Sequence, residues 1–362
     1  MGADDQLERE RAVTLDDPAA IARGDAHRTR EVLAAFPAQC REAVGLRPEP
    51  GGPFVRPRAV IVAGMGGSAA GADLLAACAA ERLDVPVLVH RGYGLPALVG
   101  QRDLVIVVSY SGDTAETLSA AEAALERGSS LVAVTAGGRL GALAAQRNLP
   151  RVALPTGLMP RMALGYLFFP LLAILKSADL TVVKDSEVDE ALVALDAQAG
   201  ALGPGRPAAE NEAKRLALAL GSRLPVIYGG PLTGAVAYRW KTDLAENAKT
   251  FAAAGTLPEM NHNEIEAWGS PFARQMQLVL LRDHEETPEI ARRFALLREL
   301  IGAAAGGISE VWARGTGCAA RLLSLITLGQ WTSFYLAILR GVDPWPVPTL
   351  DALKTRLRGG AP

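Results

Sequence analysis

Three hydroxyls crowd one short turn of this chain. Ser109-Tyr110-Ser111-Gly112-Asp113-Thr114 follows an apolar run at 104–108 and stands directly before a helical pattern. Ser109, Ser111 and Thr114 can each donate to a phosphate oxygen, while the helix N-terminus behind them offers N–H groups and the positive end of its dipole. Helix capping, with Ser111 or Thr114 paired to Glu116 or Thr117, accounts for one of these hydroxyls but not for three. An earlier turn, Gly64-Met65-Gly66-Gly67-Ser68, also joins a strand to a helix. Gly66 and Gly67 let the backbone approach a ligand and Ser68 opens the helix, but a dinucleotide site or a plain tight turn looks the same.

Proton chemistry needs titratable groups, and the later sequence supplies several. Glu246 lies on a helical pattern over 232–249, three residues before Lys249, a spacing that also makes a surface ion pair worth about 0.3 kcal/mol. His262 stands in Asn261-His262-Asn263-Glu264, a polar loop that leads into a helix, where an imidazole can both give and take a proton. Arg161 follows Met159-Pro160 at a helix start, where it fits simple capping geometry and also reaches toward Ser109 and Ser111. Only six lysines occur against 31 arginines, which draws attention to Lys241, Lys249 and Lys354, the last on a short terminal helix with a solvated face. There is no HxH or HExxH arrangement, and Cys40, Cys78 and Cys318 form no CxxC pair, so no metal and no disulfide frame are expected.

Positioning these groups falls to alternating strands and helices. Strands are predicted at 58–63, 85–89, 104–108, 131–135 and 152–154, with helices near 68–80, 114–127 and 161–177. Beyond the Gly/Pro-rich stretch 200–207, strands at 224–228, 277–281 and 308–312 alternate with helices at 232–249, 289–301 and 318–338. Continuous apolar strands separated by helices predict α/β units with doubly wound parallel sheets, whose ligands sit at the carboxyl ends of strands. The expected layout is an N-terminal helical segment over 1–50, containing a helix at 27–45, then units at 51–200 and 201–348 and a C-terminal helix over 349–362.

Composition narrows the function classes. The 362 residues are 49% hydrophobic and 21% charged, enough for two buried cores, and a net charge of −2 without a basic run excludes a nucleic-acid footprint and a membrane-surface patch. The first fifteen residues are charged and lack a signal-type apolar segment, which makes the cytoplasm the expected location. The uncharged stretch 322–339 is interrupted by Ser324, Thr327, Gln330, Thr332 and Ser333 and is expected as a buried helix, not a membrane span.

The Gly-Gly-Ser turn together with Ser-x-Ser-Gly-x-Thr-x-Glu-Thr resembles the SIS (sugar isomerase) domain, a fold that binds phosphorylated sugars. From about residue 55 onward the chain further resembles the bifunctional phosphoglucose/phosphomannose isomerase family. That resemblance is carried by Pro160-Arg161 with Ala163-Leu164-Gly165-Tyr166, by 239–249 (Arg-Trp-Lys-Thr-Asp-Leu-Ala-Glu-Asn-Ala-Lys), by Asn261-His262-Asn263-Glu264-Ile265, and by Asp343-Pro344 with Pro346-Val347 ahead of Lys354.

The resemblance implies two SIS domains and an aldose–ketose isomerase that needs no metal and no cofactor. It would interconvert fructose 6-phosphate with glucose 6-phosphate and mannose 6-phosphate through a cis-enediol. Glu246 would be the proton-shuttling base, His262 would open the sugar ring, Lys354 would help hold a substrate oxygen, and Arg161 would stabilise the enediolate. Gly66, Gly67, Ser68, Ser109, Ser111 and Thr114 would bind the phosphate. A homodimer is implied, with His262 serving the neighbouring subunit's site. Two positions depart from the family pattern: Gln330 replaces Asp in a Leu-Gly-Asp turn, and Trp345 replaces a small hydroxyl residue. A non-catalytic sugar-phosphate sensor is the rival of another class, but a sensor has no use for Glu246, Arg161, His262 and Lys354 together. An isomerase of another phosphosugar shares the phosphate site.

Overall fold

The computed structural model describes residues 11–357. The charged residues 1–10, on which the expected location partly rests, and the last five of the C-terminal segment lie outside the described residues. β1 (Val60–Gly64), β2 (Val87–His90), β3 (Leu104–Val108), β4 (Ser130–Thr135) and β5 (Arg151–Ala153) form a parallel sheet in the order 2-1-3-4-5. β1 and β3 are buried at every residue, as strands covered on both faces by helices must be. β6 (Leu224–Gly229), β7 (Ala253–Thr256), β8 (Met276–Arg282) and β9 (Gly307–Trp312) form a second parallel sheet in the order 7-6-8-9. In both sheets the order reverses beside the first strand, which places one crevice between β1 and β3 and another between β6 and β8.

Sequence periodicity finds most of these elements and misses some. The helices Gly138–Arg147, Asp185–Leu202 and Glu212–Leu220 and the strand β7 are additional. β7 reads Ala-Ala-Gly-Thr, without the branched residues that mark a strand, and its partner explains why. A Cβ on Gly255 would stand 2.8 Å from the ring of Tyr228 on neighbouring β6, so small residues are required there. The helix expected at 27–45 is two helices, Thr29–Ala34 and Phe36–Gly45, meeting at Ala35. Pro37, with no N–H to return to the preceding turn, starts the second one.

Helix Cys318–Leu339 joins the two halves. Among the described residues it is the one helix long and apolar enough to cross a membrane, yet 94% of its apolar window is buried in the fold. Helix Asp185–Leu202 lies along it: Gln198 donates to the Ser324 carbonyl at 3.2 Å, and the Tyr335 hydroxyl donates to the Leu202 carbonyl at 2.6 Å. Gln330 therefore does not sit in a turn; it is buried in the middle of this helix. Gly329 is glycine because the Trp240 indole lies where its side chain would be, and Trp240 donates to the Leu325 carbonyl at 2.8 Å. The pattern Leu-Gly-Gln at this place is a close helix–helix contact.

Candidate active site

The two glycine- and hydroxyl-bearing turns meet at the carboxyl ends of β1 and β3. The Tyr110 N–H donates to Ser68 Oγ at 3.1 Å, so Ser68 is buried and ties one turn to the other. Ser109, fully buried, donates to Thr114 Oγ1 at 3.0 Å and accepts the Gly112 N–H at 3.1 Å. Ser111 is exposed and accepts the Asp113 N–H at 3.3 Å. Thr114 precedes helix Ala115–Glu126 but makes no side-chain cap bond to it. The hydroxyls thus shape the turn while leaving the helix N-terminus uncapped by its own N-cap residue, an arrangement suited to an incoming anion. Gly66 holds φ +52 with open space where a Cβ would be, whereas a Cβ on Gly67 would stand 2.7 Å from the Arg161 backbone nitrogen. Gly67 accordingly lets the peptide before Arg161 lie against the first turn.

Arg161 is brought from the same sheet end. The Tyr110 hydroxyl donates to the Pro155 carbonyl at 2.7 Å and accepts the Leu158 N–H at 3.1 Å, anchoring the loop that runs into the short 3-10 turn Pro160–Met162. Its guanidinium is 2% exposed and meets the end of helix Gly234–Asn247 from the second half. Arg161 Nη1 donates to Glu246 Oε2 at 3.3 Å and Nε donates to Asn247 Oδ1 at 2.8 Å. Nη2 donates to the carbonyls of Pro344, at 3.0 Å, and Trp345, at 2.5 Å. Burial lowers the Arg161 pKa, while Glu246 and Asp243 favour its charge.

A row of buried polar residues on that helix supports the pair. Arg239, Asp243 and Asn247 are spaced by four and so share one face. Arg239 donates from Nε to Asp243 Oδ2 at 3.0 Å and from Nη2 to the Arg161 carbonyl, and Asn247 donates to Ser333 Oγ at 2.9 Å. Burial pushes the Asp243 carboxyl up to about 6, with the nearby Glu246 charge adding and Arg239 and Arg161 opposing. Its Oδ1 lies 2.8 Å from Arg239 Nη2, which holds that guanidinium in place. Charged and amide residues at 239, 243 and 247 were visible in the sequence as a polar helix face; nothing there marked that face as buried.

Asp343 and Trp345 contribute through the backbone. Asp343 accepts the Trp345 N–H at 2.9 Å and lies 2.6 Å from His27 Nδ1, which folds the loop so that two carbonyls converge on Arg161. The Trp345 side chain is partly buried against the main core. Lys249 does not pair with the Glu246 carboxylate; it donates to the Glu246 carbonyl at 2.5 Å.

Two of the sequence candidates stand apart in this chain. His262 is the exposed last residue of a 3-10 turn after β7, and Lys354 lies on helix Pro348–Leu357, which buries none of its residues. Among the described residues, no hydrogen bond or ion pair joins either to Arg161 or Glu246, and no group of three or more His, Cys, Asp or Glu side chains is placed to hold a metal.

Comparison with known proteins agrees with this architecture. A SIS domain family model matches residues 54–144, and one for the bacterial phospho-glucose isomerase C-terminal SIS domain matches 209–357. A bifunctional phosphoglucose/phosphomannose isomerase of Caldicellulosiruptor bescii is 39% identical over 301 residues, 82% of this chain and 89% of that one. The enzyme of the same name from Thermoplasma acidophilum is 33% identical over 298 residues, again 82% of this chain and 89% of that one. Among solved structures, a glucose-6-phosphate isomerase like protein of Thermus thermophilus superposes with a TM-score of 0.63 at 24% identity, covering 94% of this chain and 98% of that one, which shows the fold. Identity of this extent over four fifths of the chain means that it belongs to the bifunctional phosphoglucose/phosphomannose isomerase family.

Proposed function

We propose that this protein interconverts fructose 6-phosphate with glucose 6-phosphate and mannose 6-phosphate through a cis-enediol, with Glu246 as the base. The observation that carries this reading is the Glu246 carboxylate, part-exposed and held 3.3 Å from a buried guanidinium. Proton transfer between C1 and C2 asks for such a group, because it must accept a proton from one carbon and return it to the other. Both aldoses lose their difference when C2 becomes planar, so one base serves either epimer. The phosphate is received at the Ser109–Thr114 turn and the Gly66-Gly67-Ser68 turn, with Ser111 and the helix N–H groups in contact and Ser68 and Ser109 holding the turns in shape. No step calls for a metal or a nucleotide. The cytoplasm is the proposed location, since hexose phosphates are made and used there. A coupled assay over fructose, glucose, mannose and glucosamine 6-phosphates tests the substrate assignment; turnover of glucosamine 6-phosphate alone would reject it.

The two serines should separate by experiment. Ser111→Ala is expected to raise KM for fructose 6-phosphate by about 10-fold, the loss of one hydrogen bond to a charged group, with unchanged thermal stability. Ser109→Ala removes a buried hydroxyl with two partners and should cost about 1–2 kcal/mol of stability. Parallel KM and melting measurements check both, and an unaltered KM in Ser111→Ala places the phosphate elsewhere.

The active form is proposed to be a homodimer in which His262 opens the ring of the sugar bound by the neighbouring subunit. The exposed position of His262 beside the edge strand β7 supports this, since a side chain at an open sheet edge can meet another chain. Lys354, on its exposed helix, would join the same assembled site. Mixed dimers of Glu246→Gln and His262→Ala subunits should regain part of the activity that each parent lacks. Absence of recovery after verified subunit exchange points to a site contained in one chain.

A further inference from the structure

Two of the three cysteines in this chain meet. Cys78 is the last residue but one of helix Gly67–Ala79, and Cys318 opens helix Cys318–Leu339. They stand 240 positions apart, so no spacing in the sequence marks them as a pair. The two helices touch, both side chains are buried, and each thiol lies within hydrogen-bond reach of the other. Cys78 belongs to the first half and Cys318 to the helix that joins the halves, so a bond between the sulfurs would tie one to the other.

A buried free cysteine usually acts as a small apolar side chain. Cys40 is of that kind: it is fully buried, and burial pushes its thiol far above the ordinary range. The surroundings of Cys78 and Cys318 are ionic instead, because Arg82 and Arg321 each act on both sulfurs. Arg82 donates to the two Glu187 carboxylate oxygens at 2.7 and 2.8 Å, and Arg321 Nη1 donates to Asp283 Oδ2 at 2.6 Å, which fixes both guanidiniums. Arg321 Nε is buried and has no hydrogen-bond partner among the described residues, a donor that an anionic sulfur nearby would engage. Cys318 is also the first residue of a helix whose N-cap, Gly317, has no side chain to offer, so the positive end of the helix dipole acts on its sulfur.

The hydrogen bond from Cys78, together with Arg82 and Arg321, holds the Cys318 thiol below its ordinary range against burial. The same bond, together with burial, holds the Cys78 thiol well above it. Cys318 is therefore the more readily ionised of the two, with the S–H of Cys78 already in contact, the pairing of a reactive cysteine with a resolving one. Gly67 and Cys78 are eleven positions apart, about 16 Å along a helix axis, which separates this pair from the glycine-rich turn of the candidate active site.

We propose that Cys78 and Cys318 form an oxidation site for a small hydroperoxide, which converts them into a disulfide that staples the two halves together. Cys318 attacks hydrogen peroxide: an S–O bond forms, the O–O bond breaks, and the departing oxygen leaves as water with the proton that the Cys318 thiol gave up. Cys78 then attacks the sulfenic acid on Cys318. The S–S bond forms, the S–O bond breaks, and a second water leaves with the Cys78 proton. The two sulfurs together lose two electrons, which reduce the peroxide.

The test does not depend on the isomerase reading. The full-length protein, reduced and then treated with hydrogen peroxide, should lose two hydrogens in intact mass, and its digest should contain peptides joined through Cys78 and Cys318 with Cys40 free. Its melting temperature should rise by about 5 °C, because closing so long a loop restricts the unfolded chain, and dithiothreitol should reverse the shift. In Cys78→Ala, Cys318 should stop at the sulfenic acid and be trapped by dimedone, whereas Cys318→Ala should leave Cys78 unlabelled. Joined peptides that contain Cys40, a Cys78–Cys318 pair that forms only in denaturant, or an oxidised protein that melts no higher than the reduced one would each overturn the staple. Dimedone labelling of Cys78 in Cys318→Ala would overturn the order of attack.

Discussion

Glu246→Gln is expected to lower kcat by at least ~100-fold for every hexose phosphate the enzyme accepts, in keeping with the usual contribution of a general base. Glutamine preserves the shape and can still accept the Arg161 Nη1–H through its amide oxygen, now 3.3 Å away as the carboxylate oxygen Oε2. It cannot carry a proton from C2 to C1. Fold and phosphate affinity should therefore survive, since the side chain is part-exposed and lies outside the Ser109–Thr114 turn. Titration with a non-isomerisable hexitol phosphate, alongside kcat, separates the two effects. Turnover within a factor of ten of the parent would remove Glu246 from the base position.

Replacing Arg161 should be as damaging by a different route. Arg161→Lys keeps one positive charge but replaces a planar fork of five donors by three on a point charge, which cannot reach Asn247, Glu246 and two carbonyls together. The buried carbonyls of the 344–345 loop lose their donor, at about 1–3 kcal/mol for each unsatisfied group. Glu246 also loses the group that aims it, and misplacement on the order of an ångström costs about 100-fold in rate. The expected result is a kcat reduced ~100-fold or more together with a melting temperature several degrees lower. Because Arg161 links the first half to helix Gly234–Asn247 and to the 343–345 loop, limited proteolysis should show those segments cut faster in the variant. A variant with normal kcat and normal melting would show the junction to be dispensable.

The order of these effects follows from what each side chain touches. Ser111 meets solvent and one backbone N–H, so its removal acts on affinity; Arg161 meets both helix Gly234–Asn247 and the 344–345 loop, so its removal acts on everything they hold.

Much of this architecture was written in local sequence. Apolar runs such as 104–108 specify strands buried on both faces, and the glycine- and hydroxyl-rich turns that follow β1 and β3 lie at the crevice where the sheet order reverses. Family resemblance, not residue type or spacing, singled out both Glu246 and Arg161 as site candidates; spacing alone read Glu246 as the partner of Lys249. What local sequence could not contain is the set of partners. Arg161 and Glu246 are 85 positions apart, and the carbonyls that occupy Arg161 come from more than 180 positions away. Backbone oxygens have no residue-type signature, so the role of the 343–345 loop became visible only with both halves assembled. The same holds for burial: Arg239 and Asp243 look like a solvated i, i+4 pair until the first half covers them. Lys249 looked like the partner of the Glu246 carboxylate, and only the turn of the helix end, with its left-handed residue, sent the ammonium to the carbonyl instead. Sequence determined the local elements and the reactive groups, whose causes lie within a few residues; the tertiary structure decided which of those groups are committed to one another, because desolvation and hydrogen-bond partnership arise between segments far apart in the chain.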